Sequence, residues 1–386
     1  MSNYKKLSSE LEEEYIFRIC SEKEQIGSWQ AVADILNAEL NYEYSESKFR
    51  KQFQAYEKMF NAVKHTHLDG EYLDKLENKK DELYKQQVKT SAILREKRAL
   101  LKEEANMEMV LDAIRESDSA TIKLPKKEVK MFGKNEAVLL ISDAHIGNVC
   151  DNFYNKYNEE IMRERFGNLQ AKTLKFCKIN NVKKLHIICL GDMIEGNIHV
   201  SGRISADLGM VKQVKVAAKV LAELINNLAN EITETYYHSV LDNHSRMNKK
   251  YQDHIEEESF ASFIDWWLRE RLANSNVKFM HNKFDENLGC FQLDNGKNAF
   301  FAHGHLEQKN SVLQDFTFST GLIAHYAFLG HWHSGAMKEF QGSKLYINGS
   351  IKGVDQYCMG KRLFAKPSQT LLVFDGEDEI DIRINL

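Results

Sequence analysis

Eight side chains that can bind or serve a metal ion fall along this chain in five short clusters. They are Asp143 and His145 in D-A-H, Asp192 in G-D, Asn243 and His244 in D-N-H, His303 in H-G-H, and His331 and His333 in G-H-W-H. Each of the first four clusters follows an apolar run of strand character, over residues 137–141, 185–190, 236–241 and 299–302. The fifth follows a shorter run, 327–329. Carboxylate, amide and imidazole groups delivered from the ends of adjacent strands can meet at one point. Donors of that hardness suit a pair of divalent ions, Mn²⁺ first, with Fe, Zn²⁺ or Mg²⁺ as alternatives. Singly these motifs say little: a D-x-H or G-D is usually a turn, and a histidine on an apolar strand is usually a core residue. Five in order, each at a predicted strand end, form a constellation, and constellations define sites.

The elements that must hold these clusters alternate. Amphipathic helices are expected over 159–179 (burying Ile161, Phe166, Leu169 and Phe176) and over 207–228 (Leu208, Val211, Val214, Leu221, Leu224 and Ile225). A third is expected over 255–272 (Phe260, Ile264, Trp267 and Leu268). After His303 strands dominate, at 326–329, 337–340, 344–347, 369–374 and 379–384. Alternating β and α followed by a β-rich half implies an α/β sandwich.

The five motifs, in this order from about Val129 to the C-terminus, resemble those of the calcineurin-like metallophosphoesterase superfamily. The resemblance implies an αββα sandwich of two mixed sheets, helices outside, with two metals at the strand ends of one edge. It implies that Asp192 bridges the two ions. Asp143, His145 and His333 would complete one site, and Asn243, His303 and His331 the other. It also implies that His244 is no ligand but stabilises the transition state or protonates the leaving oxygen, work suited to imidazole. His305 is expected to support the site or the fold. The implied reaction is hydrolysis of a phosphoester, in which nucleophile and phosphate are both negative. Two ions about 3.5–4 Å apart offset this by binding phosphoryl oxygens and turning a bridging water into hydroxide near neutral pH. This sequence departs from the family's G-N-H-D/E, reading Asp242-Asn243-His244-Ser245. The ligands are intact; the changes bear on how His244 is oriented.

The superfamily includes phosphoprotein phosphatases, nucleotide phosphodiesterases and DNA nucleases, and the five motifs do not choose among them. His199, Arg203 and Arg246 follow motifs two and three and are candidates to contact the substrate phosphate, for which arginine is suited. The alternative is that they are surface loop residues, and Lys361 and Arg362 stand in the same position. The stretch from I-N-G-S-I-K-G (347–353) to K-P-S-Q-T-L-L-V-F (366–374) is similar to metallophosphoesterases encoded by phages and prophages, in the DNA-repair exonuclease, SbcD-like branch. The leading expectation is a Mn²⁺-dependent nuclease or phosphodiesterase acting on DNA. A phosphatase or phosphodiesterase acting on nucleotides or phosphoproteins is the second. A DNA-binding adaptor with an incidental metal core is the third, and the complete ligand set argues against it. His186, His238, His281 and His325 have no motif around them and are expected to be structural, and Trp332 to pack.

Ahead of this region, residues 1–70 read as three helices. The first spans about 9–20, the second starts at Ser28 as N-cap and aligns Val32, Ile35, Leu36 and Leu40, and a 41–44 turn follows. The third opens at Ser45 or Ser47 and aligns Phe49, Phe53, Tyr56 and Phe60 as a core stripe. The last two resemble a helix-turn-helix, with Lys48, Arg50 and Lys51 facing DNA; the alternative is an ordinary three-helix bundle. Residues 71–125 read as a charged helical linker. Over 71–117 a stripe of Leu73, Leu76, Leu83, Val88, Ile93, Leu100 and Leu101 fits either a coiled-coil stalk joining copies of the chain or a solvated connecting helix. Pro125 ends this tract and opens the catalytic domain, 126–386.

The chain has 386 residues and a formal net charge of −4, so it has no whole-molecule attraction to DNA or anionic membranes. Any such binding needs a local patch. Six cysteines lie scattered without C-x-x-C spacing, which argues for a reducing cytoplasm and against a disulfide framework. Residues 1–14 lack the apolar core of a signal peptide, and no run approaches the roughly 20 apolar residues of a membrane span.

Overall fold

A computed structural model describes residues 4–63, 75–95, 97–98, 101, 133–198, 200–248, 255 and 258–386. The chain divides into two compact units, Met1–Ala99 and Leu100–Leu386. The expected boundary at Pro125 lies outside the described residues.

The first unit begins with four helices rather than three: α1 (Glu12–Ser21), α2 (Lys23–Ile26), α3 (Trp29–Leu40) and α4 (Glu46–Val63). Ser28 caps α3 by accepting from the Ala31 amide, and Asn41 ends it in the left-handed region at φ 58°. Tyr15, Ile19, Val32, Leu36 and Phe49 form the core. The aromatic stripe of α4 only partly joins it. Phe49 is buried and Phe53 packs on Phe17, but Phe60 is 59% exposed, against expectation. The reason is length: α4 has 18 residues and outruns α1 with 10 and α3 with 12. Residues 75–95 form α5, exposed throughout, with Leu76, Leu83, Val88 and Ile93 all solvent-facing. Leu73 and Leu100 lie outside those residues.

The second unit runs β1 (Asn135–Ile141), β2 (Cys150–Asp151), β3 (Lys156–Tyr157), α6 (Glu159–Ile179), β4 (Val182–Cys189), α7 (Val200–Ser205), α8 (Met210–Ala229) and β5 (Glu234–Ser239). It continues α9 (Phe260–Arg271), β6 (Val277–Phe279), β7 (Leu288–Gln292), β8 (Asn298–Ala302), α10 (Val312–Thr320), β9 (Tyr326–Leu329), β10 (Ala336–Phe340), β11 (Ser343–Ile347), α11 (Gln356–Gly360), β12 (Ser368–Asp375) and β13 (Asp378–Asn385). One mixed sheet has the order β13-β12-β1-β4-β5-β6 and the other β10-β11-β9-β8-β7.

The period-2 alternation of β1 explains the layering. Val138 and Leu140 point into the space between the sheets, where they meet Ile188, Phe301, Phe328, Tyr346 and Leu372. Ala137, Leu139 and Ile141 point the other way, onto the layer of Leu169, Leu221 and Leu268 from α6, α8 and α9. Phe300 and Ala302 of β8 turn outward to Val312 and Phe316 of α10. The result is the αββα sandwich of two mixed sheets expected from the sequence. The short edge strands β6 and β7 were not expected. LGCFQ over β7 does not alternate, and its pairing is supplied by β8.

Candidate metal centre

Three parallel pairings bring the motif-bearing strand ends to one edge. Ile141 of β1 pairs with Cys189 of β4, Cys189 with Ser239 of β5, and Ala302 of β8 with Leu329 of β9. Beyond these ends the backbone leaves strand geometry. Asp143, His145, Asp192, His331 and His333 all have φ between 46° and 68°, the left-handed region that non-glycine residues seldom adopt. Hydrogen bonds lock these turns together. The Asp143 amide donates to the Gly191 carbonyl at 3.0 Å and the His145 amide to that of Asp192 at 2.9 Å. The His331 amide donates to the Asp143 carboxylate at 3.1 Å, and the His244 amide to that of Asp192 at 3.2 Å. Strain of this kind persists only where its surroundings over-determine it, and it concentrates at functional sites.

The donor atoms of Asp143, His145, Asp192 and His333 lie within 4.8 Å of one another, a group that could hold a metal ion. Asp192, His303 and His331 form a second such group, so Asp192 belongs to both. Asn243 joins the second group, its Oδ1 being 2.9 Å from His303 Nε2. Asp192 Oδ2 stands 3.3 Å from His303 Nε2 and 3.7 Å from His145 Nε2. His145 Nε2 faces His333 Nε2 at 3.0 Å. All seven residues expected as ligands therefore converge.

The electrostatics fit divalent cations. Asp143 and Asp192 are fully buried carboxylates, and Asp143 is pushed up to about 7 by burial and by the charge of Asp192. Burial would lower His303, but Asp192 outweighs it and raises the imidazole to about 10. Asp192 is itself held far below the usual carboxylate range: burial opposes this, but His303 and His244 prevail. The buried acids thus call for positive charge. Burial also holds His145 and His333 well below the usual histidine range, and takes His331 down to about 4. Neutral rings of this kind present the lone pair a metal needs. His303 Nδ1 donates to the Leu190 carbonyl at 2.6 Å, so Nε2 is the nitrogen that would face a metal, which would take the place of its proton.

His244 lies beside both groups. Its Nδ1 donates to the Glu195 carbonyl at 2.7 Å, and its Nε2 is 3.9 Å from Asp192 Oδ2. The exchanged residues of its motif bond each other, for Asp242 accepts from the Ser245 amide at 2.7 Å and from its hydroxyl at 3.0 Å. They brace the turn, and a backbone carbonyl orients the imidazole. Gly196 permits this: a Cβ there would meet the His244 carbonyl oxygen at 2.1 Å.

The weaker candidates fare differently. His199 lies outside the described residues. Arg203 falls on α7, and Arg246 is near enough to His305 to help burial hold that ring down to about 3. Lys48 sits over the Tyr44 ring at 2.9 Å, Arg50 is 3.7 Å from Glu46, and Lys51 is exposed.

Sequence reasoning missed three buried groups behind the ligands. Glu195 Oε2 is 3.1 Å from His145 Nδ1, close in distance but off-line for a hydrogen bond. Lys352, 3.9 Å from Glu195 Oε2, bonds Asp355 at 2.7 Å. Cys358 Sγ lies 3.5 Å from His333 Nδ1. The available signal was Glu195 three residues after Asp192, and a lysine inside the otherwise apolar and small I-N-G-S-I-K-G run.

Fold and site together define a two-sheet α/β sandwich with a double metal-competent cluster on one sheet edge. The family described as the YonJ N-terminal domain matches residues 1–68. The SPbeta prophage-derived uncharacterized protein YonJ of Bacillus subtilis (strain 168) is 23% identical over 387 residues, covering 96% of this chain and 95% of that protein. Among solved structures, a novel archaeal phosphodiesterase is 14% identical, covering 65% of this chain and 99% of its own, with a TM-score of 0.33. Vps29 from Entamoeba histolytica, complexed with Zn²⁺, is 13% identical, covering 64% and 98%, with a TM-score of 0.29. Among the described residues no helix is long and apolar enough to cross a membrane.

Proposed function

We propose that this chain is a calcineurin-like, binuclear-metal phosphoesterase, and that it is a Mn²⁺-dependent nuclease or phosphodiesterase acting on DNA in the cytoplasm. The observation that carries the reading is that Asp192 belongs to both donor groups. A carboxylate shared between two cation sites is what a two-metal hydrolase requires. Asp143, His145 and His333 would hold one ion with Asp192; Asn243, His303 and His331 would hold the other. Such ions, when bound, supply Lewis-acid charge at the phosphoryl oxygens and an acidified water.

The remaining work belongs to the side chains. His244 Nδ1–H is committed to the Glu195 carbonyl, so the imidazole can give up a proton only from Nε2. That nitrogen faces the Asp192 carboxylate at 3.9 Å, on the side of the two donor groups. His244 is therefore placed to protonate a leaving oxygen as a general acid. Five left-handed residues, Asp143, His145, Asp192, His331 and His333, set the directions of their own donors.

DNA as the substrate is supported by the similarity to a prophage-derived protein and by the separate helical unit at the N-terminus. A dimer through α5 is part of the same reading, because its leucine stripe is exposed. The net charge of −4, with Lys48 and Arg50 already engaged within the unit, favours nucleotides as the second reading. The test is to incubate the protein and Mn²⁺ with end-labelled single- and double-stranded DNA, p-nitrophenyl phosphate and its bis ester. The proposal expects cleavage of DNA and the bis ester. Hydrolysis of the monoester alone would move the assignment to a phosphatase.

A further inference from the structure

Beside the metal centre the chain exposes an aromatic surface that folding does not explain. Strands β2 and β3 form a hairpin whose tip is fixed by Asn152: its side chain accepts from the amides of Tyr154 at 2.9 Å and Asn155 at 3.0 Å. This turn projects Phe153, 93% exposed, and Tyr154, 53% exposed. The Tyr154 ring packs on Phe153 at 5.1 Å and on Phe364 at 4.6 Å, and Phe364 is itself 44% exposed. Three contiguous, solvent-facing rings cost free energy unless something stacks on them.

Two further observations point to what that is. The segment from Gln356 to Pro367 carries Lys361, Arg362 and Lys366, all exposed, and no carboxylate. These three make no ion pair among the described residues. In a chain of net charge −4 this is a local cationic patch interleaved with aromatics. The surface is also tied to the metal ligands through one short stretch. Asn152 and Asn155 each bond the Val354 carbonyl at 3.1 Å. The Lys352 amide donates to the Asp143 carbonyl at 3.1 Å, and Cys358 touches His333.

We propose that Phe153, Tyr154 and Phe364, with Lys361, Arg362 and Lys366, form a binding platform for unpaired bases of a single-stranded nucleic acid, adjacent to the metal centre. Rings that stack on any base, beside cations that follow the backbone, are how single strands are held without sequence readout. The inference rests on the phosphodiesterase reading, whose substrate it narrows to single strands or frayed ends.

The test uses the full-length chain in EDTA, so that nothing is cut. Fluorescence anisotropy reads the binding of a labelled oligothymidine and of an abasic strand with the same number of phosphates. The wild type should bind the base-bearing strand about tenfold or more tightly than the abasic one, and Phe153→Ala should lose most of that advantage, as removal of a stacking ring does. Phe153→Ala removes almost nothing from the core; Phe364→Ala provides a second, independent variant. Equal binding of the two strands by the wild type, or oligothymidine affinity unchanged in both variants, would overturn the proposal. So would a wild-type dimer that Phe153→Ala makes monomeric in light scattering, which would give the surface to a second copy of the chain. Bis ester hydrolysis by the Mn²⁺-loaded wild type, measured alongside, reads the phosphoesterase site by itself. If that fails while base-dependent binding holds, the platform stands and the phosphoesterase reading falls.

Discussion

His244 and Glu195 are joined by a 2.7 Å hydrogen bond from the imidazole Nδ1 to the backbone carbonyl, and the same residue's carboxylate stands 3.1 Å from His145. One residue thus holds the candidate acid by its backbone and lies against a candidate metal ligand with its side chain. Because His244 is held through backbone, and not by the acidic side chain its motif usually offers, its own removal should be clean. His244→Ala should keep fold and metal content and lose about 10²–10⁴-fold in turnover, the usual worth of a positioned acid. Metal loss in this variant would make His244 a ligand.

Replacing the Glu195 side chain acts on the other partner. Glu195→Ala keeps the carbonyl that holds His244 but removes the carboxylate beside His145. Metal affinity should fall about 10- to 100-fold, as is typical when a group supporting a histidine ligand is removed. Titration with Mn²⁺ checks this, and unchanged affinity would mean that the 3.1 Å approach to His145 does not orient that ring.

A pH dependence of stability follows from His238, packed between the sheets against Phe291 and 2.9 Å from His186. Burial, and then His186, hold it well below the usual histidine range. The folded state therefore takes up this proton less readily than the unfolded state. Its contribution is complete above the unfolded value near 6.5 and is lost as pH falls below it. Denaturant unfolding of the wild type should weaken between about pH 6.5 and 5 more steeply than that of His238→Gln, by up to about 1.4 kcal/mol per pH unit. Parallel curves would show that His238 does not titrate on unfolding.

The N-terminal cations give a prediction on binding. Replacing Lys48, Arg50 and Lys51 by alanine should flatten the salt dependence of DNA binding, by up to about one unit of slope for each phosphate that is no longer neutralised. Unchanged affinity and slope would assign the first unit to assembly or a protein partner.

Much of the site was legible because metal ligation fixes residue type. Asp143, Asp192, His303, His331 and His333 each follow an apolar strand, and the parallel pairings β1–β4–β5 and β8–β9 turn sequence order into spatial convergence. What was illegible depends on tertiary neighbours rather than pattern. Glu195 and Lys352 read as ordinary charged residues until the fold buries them together. The hairpin at 150–157 has strands too short to alternate, so the platform of Phe153 and Tyr154 gave no periodic signal. Phe60 shows the converse: helical spacing predicts a face, but not whether another helix reaches far enough to cover it.

The central claim is that Asp192 is shared between two cation sites, and metal stoichiometry tests it most directly. Elemental analysis of the chain after reconstitution with Mn²⁺ and removal of free ion should give two ions per chain, with both sites weakened in Asp192→Asn. At most one ion per chain in the wild type, or a variant that still holds two with unchanged affinity, would contradict a bridging Asp192 and the two-metal account built on it.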